Sequence, residues 1–156
     1  MSFLFGREFG VVGLQAAEDG TGRAKVTVTA LGRWENEITV TAVEDVGRVV
    51  AELVLGGDGP DGEEGVVFVT GETVSMARVA DVVEGVLGRG VERRFKTVEQ
   101  LEGELAEAPD DVMGKYRAVF AAGVGVSWDK EASFNGKRGM DMVLVEDWAK
   151  GDLMQR

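Results

Sequence analysis

Apolar and polar residues alternate with period two in AKVTVTA, Ala24 to Ala30, and again in EITVTA, Glu37 to Ala42. That period predicts two half-buried strands, and the short LGRWEN loop between them predicts a hairpin. From Thr41 the period becomes helical. Val43, Val46, Val50, Leu53 and Val54 share one face, and Gly56 and Gly57 supply a stop. Thr41 and Glu44 have the T-x-x-E spacing of a capping box. GGDGPDGEEG, which follows, reads as a surface loop whose acids lack the spacing of a calcium-binding EF-hand.

GVVFVTG, Gly65 to Gly71, is a continuous apolar run between glycines, the pattern of a parallel strand buried on both faces. Such a strand needs sheet neighbours, and the chain offers few, so an unpaired edge and self-association are expected. Thr73 or Ser75 then caps a helix carrying Val79, Val82, Val83, Val86 and Leu87 along one side. VERRFK predicts a strand with Val91 and Phe95 inward, and TVEQ (Thr97 to Gln100) a second capping box opening a short helix through Leu101 and Leu105. Pro109 suits a first helical position, followed by an apolar face of Val112, Met113, Tyr116 and Phe120. A last helix is expected around LVEDWAK. No linker interrupts residues 1–156, which read as one region.

The 156 residues include no cysteine and no histidine. This removes disulfides, thiol nucleophiles, serine–histidine triads and the usual zinc sites, and leaves carboxylates, lysine, tyrosine, serine or a borrowed cofactor. A net charge of −11 opposes binding to phosphate backbones, so nucleic acid is not an expected partner. The one basic cluster, Arg93, Arg94 and Lys96, reads as a solvated strand face. No apolar run reaches membrane-span length and the opening residues lack a signal peptide's apolar stretch, so no membrane is expected and the default location is cytoplasmic.

Gly6, Gly10 and Gly13 imitate the phosphate-binding turn of a dinucleotide site. A genuine turn of that kind follows a buried strand and opens a helix. Here the preceding segment is at most MSFLF, and LQAAEDGTGR breaks at Gly20 and Gly22 before a helix of useful length. With 23 glycines in the chain, the spacing is a coincidence and no cofactor-binding residue is assigned.

FGREFGVVG, ITVTAVEDVGRVVAELVL, VVFVTGETVSMARVADVVEGVLG, VERRFKTVEQLEGEL and KYRAVFAAGVGVSW follow one another in an order that resembles the C-terminal half of the NmrA-like, isoflavone-reductase-like family of atypical short-chain dehydrogenases. The resemblance runs from Gly6 to about Trp148, with Asp45-Val46-Gly47 as a helix entry. It implies an α/β fold, α+β-like in isolation, that forms the C-terminal part of an NAD(P)-binding Rossmann-type fold and lacks the N-terminal nucleotide-binding half. It also implies NAD(P) for full-length relatives, no cofactor held by this chain, and a partner in the missing half or another chain. No Tyr-x-x-x-Lys pair exists, because Phe120 stands four residues after Tyr116, the only tyrosine, which is read as core. The resemblance places Phe5, Phe9, Trp34 and Trp128 near a pocket for a small aromatic or polyketide-like substrate. The alternative is a non-catalytic binding or regulatory module derived from the same family.

Overall fold

The computed structural model describes residues 9–15, 25–56 and 65–153. Three strands, β1 (Val12–Gln15), β2 (Lys25–Leu31) and β5 (Glu92–Lys96), form a sheet in the order β1-β2-β5. β2 runs antiparallel to β1, with Val28 opposite Val12, and parallel to β5, with Thr27 opposite Glu92. The other two, β3 (Glu37–Val40) and β4 (Glu72–Ser75), form a separate antiparallel pair with Thr39 opposite Thr73. The expected mixed α/β class is the class observed.

The helices are α1 (Val43–Leu55), α2 (Met76–Leu87), α3 (Val98–Glu107), α4 (Val112–Ala122), the single turn α5 (Phe134–Lys137) and α6 (Val145–Leu153). α2 and α4 pack against β2, α3 against α4, and α6 against α2. The main core joins Val26, Val28 and Ala30 of β2 to Ile38, Met76, Val79, Val83 and Leu101. Val49, Phe134 and Met142 form a smaller cluster beneath α1.

β2 and β3 do not make a hairpin. Alternation fixes which face of a strand is buried but not which strand it pairs with. The chain leaves β2 at Gly32, whose φ of +78° turns the backbone away, and Asn36 fastens the turn by donating to Leu31 O at 3.0 Å and Ala121 O at 2.8 Å. The turn then serves α2. Met76 N donates to Asn36 O and Ala77 N to Trp34 O, while Arg78 N donates to the Ser75 side chain. Three of the free amide donors at the helix start are thereby satisfied. The Thr97–Gln100 capping box is present with both of its reciprocal bonds.

GVVFVTG is not a strand. Val66 and Phe68 are exposed, and the backbone at Thr70 is satisfied by a side chain instead of a sheet neighbour. The carboxamide of fully buried Asn135 accepts from Thr70 N at 2.9 Å and donates to Thr70 O at 2.8 Å. Phe134 N adds a bond to Phe68 O. With no strand there, the expectation of an orphaned buried edge loses its premise.

Thr41 does not cap α1. Its hydroxyl donates to Val69 O and accepts from Gly71 N, and Ala42 occupies the capping position. The orientation of α1 also reverses expectation, because its valine face points outward and Asp45, 1% exposed, points inward. Asp45 accepts from Val143 N at 2.7 Å and pairs with Arg48 at 2.8 Å. Phe95 of β5 is exposed, and Tyr116 is half exposed on α4 instead of core. α4 begins at Val112, after a turn containing Pro109. Gly6 and most of the GGDGPDGEEG loop lie outside the described residues.

The basic residues of β5 are all ion-paired. Arg93 reaches Asp81 and Glu84 of α2, Arg94 meets Glu92, and Lys96 meets Glu104. Glu92 is held between Lys25 at 2.9 Å and Arg94 at 2.7 Å, which lowers its carboxyl from the ordinary 4.5 to about 2. A carboxyl lowered by folding stabilises the fold above its unfolded pKa, and that contribution fades as pH falls through the folded value. The melting-temperature gap between the parent and Glu92→Gln is therefore expected to be open above 4.5 and to close near pH 2. A gap constant over that window would show that Glu92 acts through packing alone.

Candidate functional site

A cleft of about 570 Å³ opens beside the β3–β4 pair, lined by Glu37, Glu72, Thr73, Trp128, Lys130 and Leu144 among others. Its geometry starts from two threonines placed opposite one another by strand register. Thr39 and Thr73 hydroxyls are 2.7 Å apart. Trp128 N donates to Thr39 Oγ1 at 3.1 Å, and Thr73 Oγ1 donates to Trp128 O at 3.1 Å. If Thr39 donates to Thr73, the ring of three bonds closes with every donor aimed at an acceptor. Thr39 N also holds Val126 O at 2.8 Å. The loop after α4 is thus pinned to the strands, and Trp128 is set at the cleft wall.

The indole of Trp128 stands 5.4 Å from the Phe68 ring at a tilt of 59°. Its Nε1 is buried without a hydrogen-bond partner among the described residues. Across the cleft, Glu72 accepts from Val145 N at 2.8 Å, the first amide of α6, where a carboxylate also complements the helix's positive end. Glu37, Asp129 and Lys130 complete a polar rim. Among the described residues no group of three or more acidic, histidine or cysteine side chains is placed to hold a metal.

The four aromatic residues expected at a pocket are not brought together. Trp128 lines the cleft. Phe9 is in the core, edge-on to Phe120 at 5.5 Å. Trp34 is half-buried, with the Arg93 guanidinium 5.8 Å over its ring. Phe5 lies outside the described residues. The threonine pair and Glu72 were missed. Thr39 and Thr73 occupy the polar phase of their strands and look like ordinary surface positions, and only the register shows them facing each other.

A second cleft of about 560 Å³ lies between β5 and α3, where Arg94, Lys96 and Glu104 line it. Those groups already bond to protein partners, so the first cleft has the better claim to a ligand.

No model of a known protein family matches the sequence. The chain is, however, 39% identical over 151 residues to an NmrA-like family domain-containing oxidoreductase of Gibberella moniliformis. This chain is similar to one portion of an NmrA-like protein. The match takes in 96% of this chain but 46% of the relative, so this chain spans about half of that protein's length. No described helix is long and apolar enough to cross a membrane.

Proposed function

We propose that this chain is the substrate-binding portion of an NmrA-like, NAD(P)-dependent oxidoreductase acting on a small aromatic or polyketide-like molecule. The observation that carries this reading is the 39% identity, across nearly the whole chain, to about half of an oxidoreductase. The described residues do not fit a nicotinamide cofactor. Gly10 precedes β1 and Gly13 lies within it, paired with Thr27, in an antiparallel strand at the sheet edge and not at the helix start that a pyrophosphate requires. The cofactor, which supplies the hydride in such reactions, belongs to chain not present here.

This chain's own contribution is binding and orientation. The Trp128 ring, backed by Phe68, supports a flat, apolar ligand body, and the carboxylates of Glu37 and Glu72 can accept from ligand hydroxyls. The Trp128 ring lines the cleft, so a ligand stacked against it changes the surroundings of its indole N–H.

The three tryptophans, Trp34, Trp128 and Trp148, give three indole N–H signals for the test. Titrating hydroxylated aromatic ketones into labelled protein is expected to move the Trp128 signal and leave the other two in place. Equal movement of all three, or none at millimolar ligand, would sink the reading.

A further inference from the structure

We infer that the exposed valine face of α1 is the seat of the polypeptide that NmrA-like relatives carry beyond the region matched here; this rests on the reading of the chain as one portion of a longer oxidoreductase. Val43, Val50, Val54 and Leu55 are 70%, 51%, 74% and 81% exposed, and Val46 is 41%. Gly47 and Ala51 fill the positions between them, so the apolar stripe is continuous along all 13 residues of α1. At 1.5 Å per residue that is about 20 Å of apolar surface. Single exposed apolar residues are ordinary, but a continuous helical stripe marks a contact surface. The small residues at its centre allow a facing backbone to approach closely.

The helix cannot bury this stripe by rolling. Asp45 on the inner face is fixed by Val143 N and Arg48, and Arg48 also donates to Asp141 O. Turning the valines inward would carry that carboxylate out of its bonds. The stripe must be covered from outside. A second copy is the poorer occupant, since each brings a net charge of −11 to the encounter. The relative is more than twice as long as the region it shares with this chain, and its remaining length is the available cover. The partner surface should be an apolar helix or sheet face without charges opposite α1.

The absence of cysteine makes one introduced thiol a unique probe in this chain. Val50→Cys, with exposed Glu102→Cys on α3 as reference, is to be labelled by a maleimide in two settings: the chain alone, and a chimera in which the chain replaces the matched region of the Gibberella relative. In the chain alone both thiols should react at similar rates. In the chimera position 50 should slow by roughly tenfold or more while position 102 does not, as expected for a site reached only by local opening. Equal labelling in a monodisperse chimera would overturn the docking surface and leave the substrate-binding reading standing. Protection of position 50 already in the chain alone, with a dimer's mass, would overturn it in favour of a second copy. Protection in a chimera that binds no nicotinamide cofactor would uphold docking and remove the oxidoreductase reading. Should the chimera not fold, retention of the relative's separately expressed remainder by the tagged chain decides. Retention lost in the double variant Val46→Glu/Val50→Glu supports the surface, and equal or no retention overturns it.

Discussion

Replacing Asn135 by alanine is expected to lower the melting temperature by roughly 5–15 °C, at about 2–4 °C per kcal/mol for a chain of this size. The side chain is fully buried and matches both the N–H and the C=O of Thr70 at 2.9 and 2.8 Å, as a neighbouring strand would. Ser133 Oγ lies 3.2 Å from the same carboxamide oxygen. Alanine leaves a donor and an acceptor without partners, each at a cost of about 1–3 kcal/mol. Asn135→Asp is the informative companion, because a carboxylate keeps the acceptor for Thr70 N but cannot donate to Thr70 O. Calorimetric melting should rank the parent first. A shift under about 2 °C for the alanine variant, smaller than 1 kcal/mol would give, would show that the segment before β4 is held by other means.

Gly32→Ala is expected to cost about 3 kcal/mol or more, from left-handed strain together with a broken hydrogen bond. The φ of +78° is one source, and the new methyl would stand 2.3 Å from Ala121 O and 2.6 Å from Asn36 Nδ2. Those two atoms bond to each other at 2.8 Å, so the methyl would wedge apart the contact that joins the turn after β2 to the end of α4. Gly10 separates the two effects. Its φ is +79° but nothing lies within 4 Å of a methyl there, so Gly10→Ala should cost the strain alone, about 1–2 kcal/mol. Equal losses for the two variants in denaturant titration would remove the wedge from the account.

Elements with local causes were legible in the sequence. The Thr97–Gln100 box, the Ser75 cap and the alternation of β3 depend on residues close together, and each is present, whereas β2, read as half-buried, is a strand buried on both faces. The errors share one physical origin, which is that a pattern shows what must be satisfied but not by what. GVVFVTG needs backbone partners, and Asn135, 65 residues away from Thr70, supplies them. The α1 valines need cover, which the described chain does not provide. The candidate site was read only at Trp128. Thr39 and Thr73 meet through pairing across 34 residues, and Glu72 reaches the start of α6 across 73.

The parallel pairing of β2 with β5 has a consequence for synthesis of the chain. Thr27 and Glu92, which face each other in that register, are 65 residues apart. At a ribosomal rate of about 5–20 residues per second, β2 waits on the order of 3–13 s for the strand that covers its second edge. During that interval KVTVTAL, seven residues rich in β-branched side chains with a single charge, is available to any other nascent copy. Yield should therefore depend on elongation speed and on holding chaperones more than on the stability of the finished fold.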